Sequence, residues 1–534
     1  MMKNYPLYPN TLQPTLRELV SFCARQYGDR PAFQYTERKD DVTVSFAQFK
    51  SQIDKLGTYL YDLGYRDCHI AVFGENSYAW ILSHFAVTCG RNVVVPIDKD
   101  LDADHVAELL MHSECKAMFY SNTYSDVIDK LKEMQVGVAF LNMKDISDML
   151  DQGNQLIQAG NRTYMNVEVR GEDLASIVYT SGTTGKSKGV MLTHMNFSSC
   201  AHGACCNILN TGPVLLILPL HHTFGLVASV FSVMYYGNVV YINKSLKRLS
   251  CDFQRCKPQL MFVVPMVLET LYKTIWNAAK KQKKEKALRA LIKTSDILLI
   301  CRIDLRKMLF RQVLASFGGN LDMIVCGGAP MDEKYVKGFR SLGITVLNGY
   351  GITECGPVVA VNRNRFVVAG SVGVPLCCNE VKISDEGEIL VRGSNVMTGY
   401  YRNEEENDRA FTDGWFRTGD LGRLDNAGAL HITGRIKNLI ILGNGENIAA
   451  ESIEQQVYTI PYVKEVVAYG QDDVIVAEMY LDKEVSDAKE RIGQDVQALN
   501  KNLPSVRNIG RIVIRDKEFP KTTTRKIKRE YGEK

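Results

Sequence analysis

At 534 residues the chain is larger than one ordinary domain and can bury a sizeable core. Apolar residues make up 46% and charged residues 23%, the balance of a globular protein. A formal net charge of +4, dispersed along the chain, argues against nucleic-acid binding, and no uninterrupted apolar run is long enough to span a bilayer.

The start, Met1-Met2-Lys3-Asn4-Tyr5-Pro6, carries a basic residue but no following apolar segment of signal-peptide type, so the expected location is cytoplasmic. From 10 to 120, helix-like and strand-like segments alternate. A helical pattern begins in Thr43–Phe49, with Thr43 or Ser45 able to cap it. His69–Gly74 reads as a buried strand, and Ser77 can cap the next helix. Val93–Ile97 and Ala117–Tyr120 read as strands flanking a helix over Leu101–Leu110. This rhythm predicts a sheet buried between helices. Residues 145–170 are polar and predict no clear element.

Ile177-Val178-Tyr179 then enters the run Thr180-Ser181-Gly182-Thr183-Thr184-Gly185-Lys186-Ser187-Lys188-Gly189-Val190 as a strand would. The run holds hydroxyls, glycines and two lysines, and no side chain large enough to fill a core. A glycine-rich turn can aim several backbone N–H groups at one phosphate, with hydroxyl and ammonium donors beside them. The reading is a polyphosphate loop. It is not a P-loop, because Thr180 stands where GxxxxGK[ST] needs its first glycine.

Further along, Thr193 begins a helix, and strands are expected at 214–218, 257–264, 321–326 and 345–347. Between them, Lys280–Lys286 is strongly basic. It reads as a solvated face, with docking to an anionic membrane or carrier surface as the alternative. From 379 onward, short strands and turns suggest a strand-rich subdomain, and a boundary near Gly434–Lys437 leaves about 100 residues for a separate α/β module. The fourteen cysteines are scattered. The adjacent pairs Cys205-Cys206 and Cys377-Cys378 lack metal-ligand spacing, so reduced buried thiols are expected.

Several short blocks carry polar chemistry, the first three of them at strand ends, where open sheets place ligands. They are Leu218–Gly225 with His221 and His222, Gly327-Gly328-Ala329-Pro330, Asn348–Glu354, Trp415–Leu421 with Asp420, Gly434–Lys437, and Phe519–Arg529. Together with the phosphate run they resemble the motifs of the adenylate-forming superfamily of acyl- and aryl-CoA synthetases, luciferases and adenylation domains, in character nearest to fatty acyl-CoA synthetases. The resemblance spans roughly 179–529. Departures are Ser187 for a proline, His221 for an aromatic, Ala450 and Ser452 for a proline and a glutamate, and Arg525 for a glycine.

The resemblance implies an α/β fold. A large N-terminal lobe (1–434) would have layered α/β subdomains and a strand-rich part and would bind ATP and acid. A hinge region (435–437) would turn at Lys437, and a small mobile α/β domain would cover 438–534. It implies that Thr180, Ser181, Gly182, Thr183, Thr184 and Lys188 hold the ATP phosphates. Gly328, Ala329, Asn348, Gly349 and Tyr350 line the adenine, Thr353 approaches the α-phosphate and Glu354 holds Mg²⁺. Asp420 takes the ribose hydroxyls, and Arg435 faces phosphate or ribose. His222 stands beside an acyl pocket that also includes Gly225, Val325 and Gly351.

Catalysis falls to Lys526, which would bridge the carboxylate and the α-phosphate, with Glu354, Thr180, Lys188 and His222 around it. The implied reaction converts a carboxylic acid, fatty or otherwise hydrophobic, to acyl-AMP with release of pyrophosphate, then to a thioester of coenzyme A. An acyl-carrier-protein ligase or a standalone adenylation enzyme is the alternative, and a nucleotide-binding regulator without catalysis is the reading from another class.

Overall fold

The computed structural model describes residues 4–37, 40–181, 187–442, 447–504, 507–521 and 527–529. By contact they form two compact units, Met1–Glu380 with Val391–Phe416, and Val381–Leu390 with Arg417–Lys534.

The first unit is built on two sheets. In the nine-stranded sheet six neighbouring strands run parallel, in the order Thr345–Gly351, Met323–Cys326, Leu260–Val263, Val214–Leu216, Val240–Ile242 and Pro31–Glu37. Antiparallel strands finish both edges. The seven-stranded sheet has a parallel core of Leu174–Ser181, Val93–Ile97, His69–Phe73, Ala117–Tyr120 and Ala139–Asn142. Ser187–Thr193 and Gly399–Tyr400 extend it antiparallel. Val93 to Ile97 are buried throughout, as a strand covered on both faces requires.

Local signals set the helix starts. Ser45, not Thr43, caps Phe46–Asp62, in a capping box with Gln48; Thr43 belongs to the strand Asp40–Ser45. Ser77 caps Tyr78–Thr88, and Thr193 with Asn196 caps His194–Asn207. The silent stretch 145–170 contains a helix, Ile146–Gln158, which packs on Phe46–Asp62. Its contact is a glycine: a Cβ on Gly153 would lie 2.0 Å from the Lys55 carbonyl oxygen. The basic run joins Pro265–Lys281 to Glu285–Ile300, and its lysines are exposed.

In the second unit, Val463–Gln471 and Val474–Leu481 form a hairpin, and Ile509–Arg515 adds parallel to its second strand. Helices Ala450–Val457 and Ala488–Asn500 close a core that includes Ile453, Val457, Val466, Ala477, Ile492 and Val496. Strand Trp415–Leu424 pairs with Leu430–Arg435. The large α/β lobe and smaller C-terminal α/β domain expected from the sequence are present. Among the described residues no helix is long and apolar enough to cross a membrane.

Candidate active site

The phosphate run lies on a hairpin. Leu174–Ser181 and Ser187–Thr193 pair antiparallel, with Thr180 opposite Lys188 and Tyr179 opposite Gly189. Buried Ile177 and Val178 anchor the incoming strand. Gly182, Thr183 and Thr184 lie outside the described residues, as does the Ser181 side chain.

Lys188 is 14% exposed and forms an ion pair with Glu406. Its ammonium also stands 5.3 Å from the centroid of the Tyr400 ring. Tyr400 comes from the strand that continues this sheet, opposite Val190. Its hydroxyl donates to Glu354 Oε1 at 2.9 Å. Burial, then the neighbouring Glu354 carboxylate, pushes the phenol pKa up, so the oxygen keeps its proton and remains a donor.

Glu354 sits on the one-turn helix Thr353–Cys355, just after Thr345–Gly351. The turn is held from outside. Met397 N–H donates to the Glu354 carbonyl at 2.8 Å, and buried Asn395 donates to the carbonyls of Cys355 and Val358 at 2.8 and 2.9 Å. A carboxylate oriented by a phenol and carried on a pinned turn suits a hard cation such as Mg²⁺.

Gly327–Pro330 and Asn348–Gly351 meet at neighbouring strand ends. Asn348 pairs in register with Cys326, and a Cβ on Gly327 would lie 3.2 Å from the Gly349 carbonyl oxygen and 3.6 Å from the Phe224 ring. Gly327 is buried, while Gly328 (φ +86°) and Ala329 are exposed. The Asn348 side-chain oxygen is buried with no hydrogen-bond partner among the described residues. An orphaned acceptor of that kind matches the exocyclic amine of an adenine. Tyr350 lies opposite Ala360, and Thr353 opens the turn that carries Glu354.

The pocket residues have packing reasons of their own. A Cβ on Gly225 would fall 2.2 Å from the Pro219 carbonyl oxygen, and one on Gly351 2.0 Å from that of Pro357. Val325 is buried in register between Phe262 and Leu347. His222 Nε2 lies 3.1 Å from His221 Nε2, and His221 Nε2 is 3.4 Å from Asp98. Burial lowers the His221 pKa, against the opposing pull of Asp98. Facing Nε2 atoms cannot both carry protons comfortably, so one ring accepts from the other.

In the second unit Asp420 and Arg435 face each other across two strands and form an ion pair. Asp420 is buried, and its N–H donates to Thr418 Oγ1 at 3.1 Å. Lys437 is exposed on the single turn Ile436–Asn438. Lys526 lies outside the described residues.

Three residues that sequence reasoning did not assign therefore join the site, Tyr400, Glu406 and Asp98. Tyr400 had a signal, since it stands in the glycine-flanked run Gly393-Ser394-Asn395-Val396-Met397-Thr398-Gly399-Tyr400-Tyr401, which also resembles fatty and related acyl-CoA synthetases. Glu406 and Asp98 had none, being single acids among many.

The family model described as "AMP-binding enzyme" matches residues 21–401, and one described as "AMP-binding enzyme C-terminal domain" matches 437–534. Among curated proteins, the long-chain-fatty-acid–CoA ligase FadD15 of Mycobacterium bovis is 31% identical over 473 residues, covering 83% of this chain and 78% of that protein. The o-succinylbenzoate CoA synthetase of Bacillus subtilis, solved with its acyl-adenylate, superposes with a TM-score of 0.75 at 24% identity over 97% of each chain. The anthranilate CoA ligase AuaEII, solved with anthranoyl-AMP, does so with a TM-score of 0.75 at 19% identity, over 98% of this chain and 96% of that one.

Proposed function

Because the chain belongs to the AMP-binding enzyme family and is an AMP-forming acid–thiol ligase, we propose that its acid is fatty or otherwise hydrophobic and its thiol coenzyme A. The observation that carries this reading is the identity to a long-chain fatty-acid ligase across most of both chains. The mechanism needs no protein nucleophile. A carboxylate oxygen attacks the α-phosphorus of ATP, the acyl–O–P bond forms, and the bond to pyrophosphate breaks. The thiol sulfur then attacks the acyl carbonyl, and AMP leaves with the electron pair.

In this reading Thr180, Ser181, Gly182, Thr183, Thr184 and Lys188 receive the phosphates, and Lys188 exchanges Glu406 for them. Glu354 would hold Mg²⁺, which supplies charge neutralisation at the phosphates. Asn348 accepts from the adenine amine, beside Gly328, Ala329, Gly349 and Tyr350. Thr353 reaches the α-phosphate. Asp420 accepts from the ribose hydroxyls, with Arg435 holding its carboxylate in place. Lys526 stabilises the charge that develops during transfer. A turn about Lys437 withdraws it before thiolysis. His222, paired with His221, borders the acyl group near Gly225, Val325 and Gly351.

A surface feature supports a lipid-borne substrate. Between residues 280 and 311 there are eleven Lys/Arg against three Asp/Glu. In the same segment Ile297, Ile300 and Met308 are 62%, 82% and 65% exposed. Apolar side chains beside a basic face suit an anionic bilayer surface. Flotation with phosphatidylglycerol vesicles tests this contact. Wild type should float, and the double variant I300D/M308D should not; equal behaviour of the two would remove it.

Acid-dependent exchange of labelled pyrophosphate into ATP, run over fatty, aromatic and steroidal acids, tests the substrate class. Product analysis with coenzyme A, with acyl-carrier protein or with neither then separates the ligase from the carrier-protein and standalone alternatives. Tight ATP binding with no exchange for any acid would favour the regulator.

A further inference from the structure

A second cluster lies in the first unit, built from residues that take no part in the adenylation reading. Helix His194–Asn207 carries His202 and Cys206 four positions apart, so both fall on one face. The turn after strand Val374–Pro375 brings Cys377 to them. A glycine favours that approach: a Cβ on Gly203 would lie 3.1 Å from Leu376 Cβ and 3.2 Å from Cys378 Sγ, tighter than ordinary contact, so residues 376–378 pack closely on the helix.

The three ligand atoms of His202, Cys206 and Cys377 all lie within 4.8 Å of one another. Cys206 Sγ is 4.0 Å from His202 Nδ1 and 3.6 Å from Nε2. The ring is oriented by a backbone carbonyl, with Nε2 donating to Asn10 O at 3.2 Å. That tautomer leaves Nδ1 with a bare lone pair. Cys206 and Cys377 are both unbridged thiols, the first buried and the second exposed.

We propose that His202, Cys206 and Cys377 form a zinc site that ties helix His194–Asn207 to the turn following the sheet-edge strand. Two thiolates and an imidazole are the donor set zinc prefers over the hard cations. With Zn–S of about 2.3 Å and Zn–N of about 2.0 Å, a tetrahedral site needs ligand edges of roughly 3.5 Å. The observed spacing closes to that by movements on the order of an ångström. The exposed side at Cys377 leaves the fourth position to water or to a small thiol or carboxylate. Binding releases the two thiol protons and changes no oxidation state.

The test is Co²⁺ titration of the full chain under a non-thiol reductant, read by absorption and followed by displacement with Zn²⁺. The expected result is one equivalent of Co²⁺ with a thiolate-to-metal charge-transfer band, bleached by stoichiometric Zn²⁺. Cys377→Ser, at an exposed position, should fold normally and lose most of the band, as should His202→Asn. Cys301→Ser, at an exposed cysteine outside the cluster, should keep it. Zn²⁺ should also raise the melting temperature of wild type and not of Cys377→Ser. No charge-transfer band in wild type, or a band unchanged in Cys377→Ser, would overturn the proposal. So would formation of a Cys206–Cys377 disulfide with no metal uptake after reduction.

Discussion

In the first unit Lys188, Glu354, Tyr400 and Glu406 are brought together from four separate elements, while in the second unit Asp420 and Arg435 face each other across one pair of strands. The first arrangement exists only when the hairpin, the turn at 353–355, the strand at 399–400 and the helix Glu404–Ala410 are all in place. The second follows from local strand register. Charges assembled from distant elements should respond to mutation as one unit, and charges set by a single pairing should respond independently.

Lys526→Ala should have the largest effect, with acid-dependent exchange falling on the order of 1000-fold. Thiolysis of supplied acyl-AMP should fall far less; equal loss in both assays would remove the assigned division of labour. Glu354→Gln should lower kcat/KM for ATP by roughly 100-fold, partly recovered by raised Mg²⁺. Tyr400→Phe, which removes the donor to Glu354, should cost about tenfold. Combined with Glu354→Gln it should add almost nothing, and a multiplicative loss would break the picture of a joint network. Asp420→Asn should raise the KM for ATP by about tenfold and multiply cleanly with Glu354→Gln.

The smallest effect concerns stability. Burial lowers the pKa of His84 to about 3 and that of His194 to about 4, so both stay neutral in the folded first unit. Below about pH 6.5 the unfolded chain binds protons that the folded chain refuses. Stability is therefore lost as pH falls, by up to about 1.4 kcal/mol per pH unit for each imidazole. In the second unit burial raises the pKa of Glu454 despite its pairing with Arg529, so acid favours the folded form there. Calorimetry of the full chain from pH 7 to pH 5 should show the first unit's transition moving down more than the second's. Equal shifts would contradict this assignment.

Much of the fold was legible because its signals are local. Val93–Ile97 announced a buried strand by composition, and Ser45, Ser77 and Thr193 announced helix starts by capping chemistry. The helix Ile146–Gln158 was silent because it packs through Gly153 and buries only a thin apolar stripe. The candidate site divides in the same way. Glu354 and Lys188 stand in recognisable runs, whereas Glu406 and Asp98 acquire meaning only from what the fold places beside them. The cysteines are the sharpest case. Cys206 and Cys377 are 171 positions apart, so ligand spacing along the chain excluded a metal that spacing through space permits.

This chain activates a carboxyl group by moving the adenylyl group of ATP onto it, with pyrophosphate as the leaving group. Pyrophosphate–ATP exchange, measured with and without a long-chain acid in the presence of magnesium, tests it most directly. Exchange should require both acid and metal and should collapse in Lys526→Ala. A folded, ATP-binding protein that exchanges no label with any acid in the panel would contradict it.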